Sequence, residues 1–280
     1  MESLLFPKII YGTAWKKERT KQLVIDAILA GFTAIDTACQ PKHYQEKLVG
    51  DALAVLAEKY KINRSQLFLQ TKFTPLSGQD LTNVPYNKNA NLETQVKESL
   101  AKSLENLGTN YLDSLLLHSP LKNLEETLKV WKEFETFVNE GKVKKIGISN
   151  IYSLEYLEKI WNEVSLKPSI IQNRFYSETN YDSEIRKFCA KNSIVYQSFW
   201  TLTGNPHIIS NPKFLKIAEV LNITKEQLFF RYVMQLGIVP LTGTSNKAHM
   251  KQDLAVLDLS ELNANDINNI NKLVFENLKH

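Results

Sequence analysis

Three groups able to do chemistry interrupt apolar runs: Asp36 in TAIDTA, Lys72 in FLQTKF and His118 in LLLHSP. A lone buried charge is unfavourable, so the carboxylate and the amine are expected to meet if their runs are neighbours. Such a pair reads equally as a structural ion pair or as one that tunes a reacting group. His118 taken alone reads first as a hydrogen-bonded core histidine. Ser149, Asn150, Gln172 and Asn173 stand at the ends of two later runs. On position alone they read as strand-end caps.

The elements that must position these groups are short β-rich runs alternating with amphipathic helical stretches. Strands are expected at about 7–12, 33–38, 67–73, 111–118, 143–149, 169–175, 194–199 and 237–243. Their near-continuous apolar character suggests strands buried on both faces, as in a parallel sheet. Helical stripes lie between them: Val24, Ala27 and Ile28; Val49, Ala52, Leu53 and Leu56; Val96, Leu100 and Leu107; Leu124, Leu128 and Trp131. Asn123 with Glu126, Thr224 with Gln227, and Asn211 before Pro212 read as helix starts. An open sheet binding a dinucleotide would show GxGxxG after its first strand, and none occurs. A (β/α)8 TIM barrel, parallel and eight-stranded, is therefore expected. Its polar strand ends form the active face. The long irregular stretch at about 74–91, after the third strand, is expected to form part of that rim.

Length and composition agree. A chain of 280 residues suits one such barrel, which needs about 250, and 1–280 reads as a single domain. The net charge of +4, from 34 basic and 30 acidic side chains, is too small and too scattered to indicate nucleic acid. Cys39 and Cys189 are the only cysteines, in no metal-like spacing, which fits a reducing compartment. MESLLFPKIIYGTAW does not read as a signal peptide, and no run approaches the roughly 20 apolar residues of a membrane span. A cytoplasmic protein is expected.

The ordered segments GTAW at 12–15, IDTA at 35–38, VG at 49–50, QTKF at 70–73, YLDSLLLHSP at 111–120, GKVKKIGISN at 141–150, IIQNRF at 170–175 and PLTGTSN at 240–246 resemble the aldo-keto reductases. The resemblance runs from about Thr13 to Asp253. It implies an NADP-dependent carbonyl reductase with a catalytic Asp, Tyr, Lys and His. Asp36, Lys72 and His118 match motif to motif. The tyrosine usually follows the aspartate by five positions, where this chain has Pro41; Tyr44 is the tyrosine of the segment and takes the role, with His43 the alternative. Lys72 is then expected to lower the phenol's pKa, Asp36 to hold Lys72, and His118 to hydrogen-bond the substrate oxygen.

The same resemblance places Ser149, Asn150 and Gln172 at the nicotinamide and Phe199 stacked on it, with Trp200 the alternative by a slip of register; Thr13 is a further cofactor-binding residue. Gly243, Thr244, Ser245 and Asn246 fall near the adenosine phosphate, at a helix start, and His249 and Asp253 are further cofactor-binding residues. Trp15 and Trp200 fall in the substrate pocket, and Tyr86 joins them if the 76–90 loop lines it; the 201–211 loop is the other expected wall. The family's phosphate-binding Lys and Arg align with Gly243 and His249, so Lys247 and Lys251 are the candidate substitutes. NADPH is expected, with NADH not excluded. The partner is a small carbonyl substrate, with no membrane or nucleic acid, and the protein is expected to be a monomer. The short tail after about 275 suggests an open pocket. A cofactor-binding regulatory or sensor subunit with little turnover is the alternative, and a barrel isomerase or lyase a weaker one.

Overall fold

The computed structural model describes residues 6–276. Strands β1 (Ile10–Gly12), β2 (Ala34–Asp36), β3 (Phe68–Phe73), β4 (Leu112–Leu117), β5 (Val143–Ser149), β6 (Ile170–Arg174), β7 (Val195–Phe199) and β8 (Ile238–Thr242) pair in parallel and in chain order. Pairing of Ile10 with Leu241 and Tyr11 with Thr242 closes β8 onto β1. The expected (β/α)8 TIM barrel is the fold. Each strand lies within the run that predicts it. β2 is shorter than its run, yet contact with β3 continues beyond it: the Thr37 and Cys39 N–H groups donate to the Gln70 and Lys72 carbonyls, and Cys39 forms an isolated bridge to Phe73.

Helices α1 (Thr20–Ala30), α2 (Glu46–Tyr60), α3 (Leu92–Leu107), α4 (Leu124–Asn139), α5 (Leu154–Glu163) and α6 (Ser183–Lys191) follow the first six strands. The chain after β7 forms α7 (Pro206–Ile209), α8 (Pro212–Val220) and α9 (Lys225–Gln235), and β8 leads to α10 (Lys247–Ala255) and α11 (Ala264–Glu276). The apolar stripes face the sheet: Val24, Ala27, Val49, Ala52, Leu56, Val96, Leu107 and Trp131 are all buried. The caps form as their spacing predicts. Asn123 accepts from the Glu126 N–H at 2.9 Å, Thr224 and Gln227 make a reciprocal capping box, and Pro212 opens α8 behind the Asn211 cap. Gly50 of the VG pair lets α2 lie against α3. A side-chain carbon there would collide with the Asn106 carbonyl and lie 2.9 Å from the Leu107 Cα.

Strand periodicity decides what the barrel interior contains. Side chains alternate between faces, so in β3 Leu69 and Phe73 join the outer core while Phe68, Gln70 and Lys72 line the inside. Ile10, Ala34, Phe68, Leu116 and Ile170 form an apolar plug. Two residues further along their strands stand Gly12, Asp36, Gln70, His118 and Gln172. The barrel is thus apolar at its base and polar toward the carboxyl ends of its strands, where such folds carry their sites.

Candidate active site

At the polar end, Lys72 Nζ donates to Asp36 Oδ1 at 2.7 Å and Oδ2 at 2.6 Å, and to the Thr37 carbonyl at 2.9 Å. Three acceptors match the three protons of an ammonium. Both partners are buried, Lys72 at 1% exposure and Asp36 at 2%. The expected meeting of the two charges therefore occurs, on adjacent strands. Asp36 Oδ1 also accepts from Gln70 Nε2 at 2.7 Å and Gln172 Nε2 at 3.0 Å, and both amides bond to Gln197 Oε1 at 2.9 Å.

Tyr44 sits in the β2–α2 loop. Its ring centre lies 5.3 Å from Lys72 Nζ and 6.0 Å from the His118 ring, edge to face. Burial lifts the phenol well above its ordinary value, and the Asp36 carboxylate lifts it further. This reverses the expectation that Lys72 lowers it. The net shift is upward because burial, with the Asp36 carboxylate behind it, outweighs what the ammonium 5.3 Å from the ring centre contributes. Tyr44 consequently keeps its proton at neutral pH. His118 is pushed down to about 3 by burial, with the Lys72 charge and His43 adding to the effect. It is a neutral imidazole, and its Nδ1 lies 2.6 Å from Thr74 Oγ1. The alternative donor, His43, stacks against Trp15 with ring centres 3.7 Å apart.

One cavity of about 740 Å³ joins these groups to the β7 and β8 ends, within the range of small-molecule and cofactor sites. Asp36, Tyr44, His118, Ser149, Asn150, Gln172, Phe199, Gly243, Thr244, His249 and Asp253 all line it. Trp15 and Trp200 stand on its rim, 61% and 50% exposed. Thr13 is not on the wall; its hydroxyl donates to the Asp36 carbonyl at 2.9 Å and its neighbours Gly12 and Ala14 face the cavity. Ser245 and Asn246 also lie off the wall, Asn246 capping α10 through the Ala248 and His249 N–H groups. Lys72 reaches the cavity only through its partners.

The 74–91 segment departs from expectation. No residue of it lines the cavity, because it folds inward: the Tyr86 ring packs 5.7 Å from Phe73 and its hydroxyl donates to the Thr74 carbonyl at 2.7 Å. Thr201, Leu202 and Thr203, from the other loop named above, do line it. The tail after 276 lies outside the described residues.

Four further residues belong to the site, and of these only Arg174 stands at a strand end. Gln70 and Gln197 sit one inward step below Lys72 and Phe199, so counting back by two from the recognised positions would find them. Arg174 stacks its guanidinium 3.9 Å over the Trp200 ring on the cavity wall. Lys16, from the β1–α1 loop, donates to the Gly243 carbonyl and lines the cavity. The expected substitutes do not: Lys247 pairs with Asp26 at 2.8 Å, and neither it nor Lys251 is on the wall.

A closed parallel barrel with charged and amphoteric side chains gathered at its carboxyl end is an enzyme's architecture. The sequence matches the aldo/keto reductase family over residues 8–206, and the chain belongs to that family. Two yeast proteins are similar along most of their lengths. The NAD/NADP-dependent indole-3-acetaldehyde reductase of Schizosaccharomyces pombe is 28% identical, covering 87% of this chain and 82% of its own. The NADPH-dependent alpha-keto amide reductase of Saccharomyces cerevisiae is 29% identical, covering 95% and 85%. A crystal structure of an aldo-keto reductase from a Medee basin deep-sea metagenome library superimposes with a TM-score of 0.82 at 26% identity, covering 96% of this chain and 92% of that one.

Proposed function

We propose that this protein reduces aldehydes and ketones to alcohols with NAD(P)H, and that Tyr44 is the proton donor. The observation that carries the reading is the opening of Tyr44, His118 and the Asp36–Lys72 pair onto one cavity. Family membership and the two nicotinamide-dependent yeast relatives support it. The cofactor would supply the hydride; the chain supplies position and proton. Tyr44 holds its proton until an alkoxide, a far stronger base than phenolate, develops beside it. The Lys72 ammonium then stabilises the phenolate left behind. Neutral His118 donates a hydrogen bond to the substrate oxygen, which fixes its orientation.

The residues present fit the cofactor. Gln172 Nε2 is committed to Asp36 and Gln197, while its Oε1 has no donor among the described residues and suits an amide N–H₂. Ser149, Asn150 and Phe199 line the same cavity. At the other end Lys16 supplies the cation that position 243 lacks. NADPH preference is accordingly assigned to Lys16.

The test follows loss of reduced-cofactor absorbance with a panel of aldehydes and ketones. Wild-type protein should oxidise NADPH with several of them. In Lys16→Met the KM for NADPH is expected to rise roughly tenfold or more, as loss of a charge-assisted hydrogen bond predicts, while that for NADH stays unchanged. Equal rises for both would move Lys16 to a phosphate common to the two cofactors.

A further inference from the structure

The 74–91 segment forms no part of the cavity wall, yet its first residue touches the site. Thr74 is buried at 2% exposure, and its hydroxyl oxygen lies 2.6 Å from His118 Nδ1. A hydroxyl carries one proton and two acceptor positions, and a neutral imidazole carries one N–H and one bare nitrogen. Two arrangements are therefore open. If Nδ1 held the proton it would donate to Oγ1, leaving the buried hydroxyl proton without an acceptor, since Thr74 Oγ1 has no other partner among the described residues. If the hydroxyl donates to Nδ1, both groups are satisfied, and the imidazole proton lies on Nε2. Unmet buried donors are disfavoured, so the second arrangement wins.

We propose that Thr74 is a positioning residue, which fixes His118 as the tautomer bearing its proton on Nε2 for donation into the cavity, and that the 74–91 segment buttresses it. The buttress is explicit. The Thr74 carbonyl accepts from Tyr86 Oη at 2.7 Å and from Gln79 Nε2 at 3.1 Å. Gln79 Nε2 also donates to the Cys39 carbonyl at 2.9 Å, and Gln40 Nε2 to the Gly78 carbonyl at 2.6 Å. Cys39 and Gln40 lie in the loop that carries Tyr44. The segment thus ties the His118 support to the Tyr44 support. The His118 main chain is held separately, its backbone N–H donating to the Phe73 carbonyl at 2.8 Å. The catalytic consequence rests on the reductase reading; the tautomer does not.

Two measurements on the full chain separate them. Long-range ¹H–¹⁵N correlation of the imidazole rings, with His118 assigned by its loss in His118→Gln, should show Nδ1 bare and Nε2 protonated. Thr74→Val, which keeps the volume and the loop's carbonyl anchor, should give mixed tautomers; Thr74→Ser should restore the wild-type pattern. In carbonyl reduction Thr74→Val is expected to lower kcat roughly ten- to a hundredfold, somewhat less than removal of a whole donor, with cofactor affinity unchanged and recovery in Thr74→Ser. A protonated Nδ1 in the wild type, or a wild-type pattern in Thr74→Val, overturns the assignment. The expected tautomers without turnover of any carbonyl compound would leave the assignment standing and sink the reductase reading instead.

Discussion

Tyr44→Phe is expected to lower carbonyl reduction by a factor of roughly 10² to 10⁴, the range for removing a positioned proton donor, while the affinity for reduced cofactor stays within about twofold of wild type. The substitution deletes one oxygen and keeps the ring, so the contacts with His118 and the Lys72 ammonium at 6.0 and 5.3 Å persist. What disappears is the proton that burial and Asp36 hold on the phenol. Steady-state kinetics and a direct binding titration check the two halves separately. Retained turnover would transfer the donor role to another group, His43 first. Tight cofactor binding without turnover in the wild type would restore the sensor reading.

The second large effect concerns the ion pair, where structure and catalysis must be told apart. Lys72→Met leaves Asp36 as a carboxylate at 2% exposure without its ammonium. Removing one partner of a buried pair destabilises by about 3–5 kcal/mol. Adding Asp36→Asn should return most of that stability, because a neutral amide needs no counter-charge and its oxygen still accepts from Gln70 and Gln172, as Asp36 Oδ1 does at 2.7 and 3.0 Å. Activity should stay lost in the double variant, since nothing then stabilises the phenolate. Denaturant midpoints and kcat, measured on the single and double variants, decide the matter. A double variant that regains both would reduce the pair to a brace of the barrel.

The sequence made the barrel legible because every strand is a short apolar run and every helix carries its stripe at helical spacing. Strand ends were less sharp, as at Thr37 and Cys39, where ladder and loop hydrogen bonds grade into each other. Asp36, Lys72 and His118 were readable as polar groups in apolar surroundings. Gln70 and Gln197 were not, because an amide in a strand carries no charge to draw attention and its partners lie on other strands. Lys16 and Tyr86 mark a different limit. Local sequence says that a loop is long or that a lysine is near, but not whether the loop turns into the cavity or onto the sheet. The sign of the Tyr44 shift is hidden for a related reason: the sequence shows the Lys72 charge but not the burial of the phenol, which outweighs it.

The most direct measurement supplies reduced cofactor carrying deuterium at both C4 positions of the nicotinamide, together with an aldehyde that the protein turns over. Mass spectrometry of the alcohol should find one deuterium, on the carbon that was the carbonyl carbon. Alcohol formed without label, or cofactor oxidised with the aldehyde left intact, would contradict hydride delivery to a bound carbonyl at this site.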